Sequence, residues 1–263
     1  MSILFLAGMM LGAITGLFAG LFGIGGGLVM VPVLVMLFTE QGFAAENIMI
    51  MAVATSLATI ILTSIASVIA HHRLGAVIWS KVSRLVPGIM VGSALGAVVA
   101  DRISGELLRY IFIIYLLYAA LQLVLQKQPK AGRKPSPLLL DYGAALVIGG
   151  LSAIIGIGGG TLTVPYLVHF QTPIRNAVAV SSACGLPIAI GGTLSYILLG
   201  WHAPLLPDWS LGYIYLPSFA GIVLTSVITA PIGAKLAGLI PAQKLKRYFA
   251  LLLLIVAAKM IWL

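Results

Sequence analysis

Two stretches hold residues whose types and spacing suit ligand chemistry in an apolar setting: LFGIGGGLVMVP at 21–32 and IIGIGGGTLTVP at 154–165. Glycine fills four of five positions in each, at Gly23, Gly25, Gly26 and Gly27 and again at Gly156, Gly158, Gly159 and Gly160. A glycine inside a helix costs about 1 kcal/mol against alanine, so each run marks a point where one helix breaks and another opens. The new helix starts with unpaired N–H groups and the positive end of its dipole. Without Cβ atoms in the way, a ligand can touch that backbone directly. The chemistry this allows is anion binding, supported by hydroxyls within reach along the chain, including Thr59 and Thr163. The expected substrate-binding set is Gly25, Gly26, Gly27, Gly158, Gly159, Gly160, Thr161, Thr55, Ser56, Ser181 and Ser182. Catalytic residues, metal ligands and cofactors are not expected.

The elements that must position these residues are membrane helices. The 263 residues are 61% hydrophobic and 8% charged, with a mean hydropathy of +1.15, whereas soluble domains carry about 25% charged residues. No charged side chain precedes Glu40, and the first basic residue is Arg73. Apolar runs of membrane-spanning length recur throughout, which predicts an all-α polytopic membrane protein. The start of the chain has neither a basic n-region nor a small-residue cleavage pattern, so a removed signal peptide is not expected. One cysteine, Cys184, allows no internal disulfide. The net charge of +9 lies in loops flanking the apolar runs and reads as a topology signal rather than a nucleic-acid footprint.

The apolar segments form two matching sets. The first has segments at about 2–22, 28–38, 47–70, 76–100 and 104–125, and the second at about 139–155, 161–170, 174–199, 210–236 and 241–262. AVATS (52–56) corresponds to AVAVSS (177–182), and GAVVADRISGELLRYIF (96–112) to GAKLAGLIPAQKLKRYF (233–249). The expected organisation is a first membrane repeat over 1–125, a basic linker over 126–137 and a second repeat over 138–263.

The segments after the glycine turns span only about 15–16 Å as helix, half of what a bilayer core requires. Each turn is therefore read as the tip of a re-entrant hairpin, followed by three transmembrane helices; the alternative is a single broken helix that crosses once. Positive charge favours the hairpin. It puts twelve of the fifteen Lys and Arg residues on the cytoplasmic side, leaves Arg102, Arg109 and Lys259 outside, inverts the second repeat and places both termini outside. Two full crossings in place of each hairpin would give the same parity. Small residues at four-residue spacing, such as Gly8, Gly12 and Gly16 or Gly88, Gly92 and Gly96, mark close helix contacts. Trp79, Trp201, Trp209 and Trp262 read as interfacial anchors, His71 and His72 as interfacial residues, and Cys184 as a packing residue.

Other functions fit poorly. A dinucleotide fingerprint needs an acid about 20 residues past the glycines, and the second copy has none between Tyr142 and Pro207. An intramembrane enzyme needs a nucleophile with its base, a metal cluster or paired carboxylates at membrane depth. A transporter and an anion channel both remain open on these features. The paired GIGGG…VP turns, the duplication and the length resemble the TauE/SafE family of sulfite and organosulfonate exporters. The resemblance covers nearly the whole chain. It implies export of a small sulfur oxyanion across a plasma (inner) membrane, with the family signature on Gly23 to Gly27 and Gly156 to Gly160. Expected partners are a small anionic substrate, the bilayer, a coupling proton or ion and a second copy of the chain, with no nucleic acid.

Overall fold

The computed structural model describes residues 2–22, 26–125, 137–237 and 242–262. Among them ten α-helices account for nearly all regular structure: α1 (Ser2–Phe22), α2 (Gly27–Glu40), α3 (Ala45–Arg73), α4 (Trp79–Arg102), α5 (Gly105–Leu125), α6 (Leu138–Ile155), α7 (Gly160–His169), α8 (Ile174–Leu199), α9 (Leu216–Ala237) and α10 (Ala242–Ile261). Five of them, α3 to α6 and α8, are long and apolar enough over described residues to cross a membrane. The protein is an all-α polytopic membrane protein. The expected linker, apart from Pro137, and Gly23 to Gly25 of the first turn lie outside the described residues.

The small-residue stripes explain the tightest packing. α1 packs chiefly on α9 and α6 on α4. A Cβ on Gly12 would strike the Ile222 carbonyl of α9, and one on Gly92 would strike the Leu146 carbonyl of α6. Backbones this close exchange weak contacts and side-chain hydrogen bonds, which drive helix association where lipid supplies no hydrophobic gain. Thr225 Oγ1, for example, donates to the Met9 carbonyl at 2.7 Å.

α3 and α8 form the centre and run antiparallel. Asn47, at the start of α3, donates from Nδ2 to the carbonyl of Pro204, just past the end of α8, at 2.8 Å. At the opposite end Arg175, at the start of α8, donates to the carbonyl of Leu74, just past α3, at 3.1 Å.

The segment expected at 210–236 divides. Ser210–Leu211 pairs antiparallel with Ile214–Tyr215, and α9 begins only at Leu216. Gly212 turns this ribbon at φ +56°, pressed so closely on the Ile197 backbone that no Cβ would fit. The Tyr215 amide donates to Thr55 Oγ1 at 3.0 Å, so it enters a tertiary bond instead of starting the helix earlier.

Candidate functional site

The second glycine turn is a break between two helices with a defined geometry. Gly156 ends α6 at φ +79°, with its amide on the Ser152 carbonyl, and Gly159 opens α7 at φ +74° as an N-cap without a side-chain capping bond. Both values lie in the left-handed region that glycine adopts without strain. α7 then folds back toward the start of α6, where the Tyr166 hydroxyl donates to Asp141 Oδ1 at 2.6 Å. In a straight broken helix those residues, 25 apart, would be separated by about 37 Å. The chain therefore folds back on itself at this turn. α7 has 10 residues, about 15 Å, and α2 has 14, about 21 Å, so both are short of a bilayer core.

The turn is wedged between α3 and α8. Ser56 Oγ donates to the Gly156 carbonyl at 2.9 Å, which supplies a partner for a backbone group that lipid cannot satisfy. Ser56 lies about 17 Å along α3 from Ala45, well inside that helix. From the other side a Cβ on Gly185 of α8 would lie 3.1 Å from the Gly158 carbonyl. The first turn meets the second here: a Cβ on Gly27, at the start of α2, would sit 2.5 Å from the Gly156 carbonyl oxygen and 3.1 Å from Ile157 Cα. Gly26 mirrors Gly159 as a left-handed N-cap, at φ +71°.

The expected hydroxyls separate by what they touch. Thr55 accepts the Tyr215 amide and Ser56 is spent on Gly156, so both hold structure together. Thr161 Oγ1 shares a hydrogen bond with the Tyr115 hydroxyl of α5. Ser181 Oγ and Ser182 Oγ are buried without a partner. Two further unpartnered hydroxyls flank the start of α7, Ser152 Oγ and Thr163 Oγ1, each 3.4 Å from the position of a Cβ on Gly159. A buried hydroxyl left unpaired costs about 1–3 kcal/mol, so hydroxyls gathered at a helix start read as ligand groups awaiting an acceptor. Ser152 and Tyr115 escape notice in the sequence. For Ser152 a signal exists, since Ala19 stands in its place when the two glycine runs are aligned.

Both ends of the bundle are tied. At one end Asn47 holds Pro204, and the Tyr213 hydroxyl donates to Asp101 Oδ1 at 2.7 Å. Burial, with the Asp101 carboxylate beside it, holds the Tyr213 hydroxyl above the usual tyrosine range, so it remains a neutral donor. Phe38, Phe43 and Tyr215 stack beneath this cover. At the other end Asn176 Nδ2 donates to the Ala76 carbonyl at 2.8 Å and Lys81 Nζ to Thr172 Oγ1 at 2.5 Å. Cys184 is fully buried, while the four tryptophans are exposed on the surface.

The sequence matches the family described as Sulfite exporter TauE/SafE over residues 8–260. The chain belongs to this family. Similar proteins include a probable membrane transporter protein of Haemophilus influenzae, 40% identical over 253 residues that cover 96% of each chain. Another, from Methanocaldococcus jannaschii, is 26% identical over 86% of this chain and 83% of its own length. The Bacillus subtilis protein YunE, also a probable membrane transporter, is 29% identical over 72% of this chain and 77% of its own. As a TauE/SafE member the chain is a multi-pass membrane transporter, and its paired glycine turns lie within the matched region.

Proposed function

We propose that this chain is a secondary carrier that moves a small sulfur oxyanion, such as sulfite or a short organosulfonate, outward across the plasma (inner) membrane. The anion sits where the two glycine turns meet. The observation that carries this reading is the contact of Gly27 with the Gly156 carbonyl and Ile157, which brings the start of α2 against the turn that leads from α6 into α7, inside the bundle. Helix starts offer N–H groups and dipole ends to an anion. Amides and hydroxyls hold it without a full positive charge, which suits a ligand that must also leave.

The architecture proposed for this carrier is two inverted repeats, 1–125 and 138–263, joined by a cytoplasmic linker at 126–137. Its support is the antiparallel course of α3 and α8 and an exchange of packing, in which α1 of the first repeat packs on α9 of the second while α6 of the second packs on α4 of the first. The end that carries Arg73, Lys81 and Arg175 is assigned to the cytoplasm, and both termini to the outside. Alternating access then means releasing one set of end ties at a time, either Asn176–Ala76 with Lys81–Thr172 or Asn47–Pro204 with Tyr213–Asp101. Ties at both ends favour a carrier over an open anion channel.

The test is a thermal-shift screen of the purified protein against sulfite, sulfate, thiosulfate, sulfoacetate and taurine, followed by counterflow in liposomes with the strongest binder. Selective stabilisation and saturable, counterflow-stimulated uptake are expected. Uptake that never saturates and ignores counterflow would make the protein a channel.

A further inference from the structure

We infer that the anion is gripped from one side: Ser152 and Thr163 at the second turn donate to its oxygens, while Ala19 and Met30, in register at the first turn, offer it no hydroxyl. This rests on the binding site proposed above. The two turns share their glycines but differ in the residues around them. In register, Thr161 and Thr163 stand where Leu28 and Met30 stand, and Ser152 stands where Ala19 stands. Three hydroxyls of the second half have no counterpart in the first.

Tertiary contacts widen this asymmetry. The hydroxyl beside Met30 is Thr59, and its Oγ1 lies 2.9 Å from Met30 Sδ and 2.6 Å from the Ser56 carbonyl, so its proton is already placed. Ser56 is committed to Gly156 and Thr55 to Tyr215. Leu28 and Met30 are buried apolar groups.

Ser152 and Thr163 differ. Both are fully buried, and neither hydroxyl has a partner. Their oxygens flank Gly159, the N-cap from which α7 starts, each 3.4 Å from the position of a Cβ there. Ser152 comes from the last turn of α6 and Thr163 from the first turn of α7, so the break itself brings them together. Ile188 Cδ1, the end of a flexible side chain from α8, lies 2.5 Å from the same position. Rotation of that methyl frees space beyond Gly159 for a ligand oxygen at van der Waals distance from its Cα, which then receives two hydroxyl protons at the start of α7. A group that only accepts hydrogen bonds, as an oxyanion does, satisfies both donors at once.

The test uses the purified full chain and titrates sulfite, with sulfoacetate as a second probe, by calorimetry. Ser152→Ala and Thr163→Val should each weaken binding about tenfold, one hydrogen bond apiece, and Thr163→Ser should keep near-wild-type affinity because the hydroxyl remains. If Thr163→Val does not fold, Ser152→Ala and Thr163→Ser decide the matter. Wild-type affinity in Ser152→Ala and Thr163→Val overturns the one-sided grip and leaves the carrier reading standing. A wild-type protein that binds neither probe removes the site proposed above instead.

Discussion

The Tyr166 hydroxyl lies 2.6 Å from Asp141 Oδ1 and ties the far end of α7 to the first turn of α6. This bond closes the mouth of the second hairpin and gives a buried carboxylate a donor. Tyr166→Phe removes that donor and leaves Asp141 buried without it. A buried polar group left without its hydrogen bond costs about 1–3 kcal/mol. Thermal unfolding in detergent should show a loss of that size; an unchanged Tm would mean that the clamp contributes nothing to the hairpin.

Gly26→Val and Gly159→Val should each abolish transport while the protein still inserts. Both residues hold positive φ, where a β-branched side chain is strained, and a Cβ on Gly159 would meet Ile188 Cδ1. Membrane-fraction yield and liposome uptake, measured together, check this. Near-normal uptake by either variant would show that its turn only shapes the helix path.

Reporter fusions at Leu263 and within 126–137 should place the C-terminus outside and the linker in the cytoplasm. The expectation follows from the twelve-to-three division of basic residues. A C-terminus found in the cytoplasm would remove the inverted arrangement.

Neutralising the cations at the Arg175 end of the bundle should leave the anion site intact. Lys81 donates to Thr172 at a bundle end and Arg84 is exposed, both away from the glycine turns. Lys81→Ala and Arg84→Ala should therefore bind the anion within about twofold of wild type by calorimetry, since neither side chain reaches the glycine turns. Loss of binding in either variant would place a full positive charge in the site.

Composition and periodicity were enough to establish membrane helices, the glycine break at 156–159 and the small-residue stripes, and the family motif lay in plain view. Each of these is local along the chain: a run of apolar residues, a four-residue spacing, a glycine where helix propensity fails. Tertiary structure alone decided which hydroxyls are free. Thr55 and Ser56 look as available as Thr163 in the sequence, yet their partners, Tyr215 and Gly156, are 160 and 100 residues away. The late start of α9 has the same origin, because the Tyr215 amide bonds Thr55 instead of a helical carbonyl. Ser152 became visible only when α6 and α7 folded back around Gly159. A hydroxyl's role depends on what packs against it in three dimensions, and in lipid that packing must also satisfy every backbone group at the break.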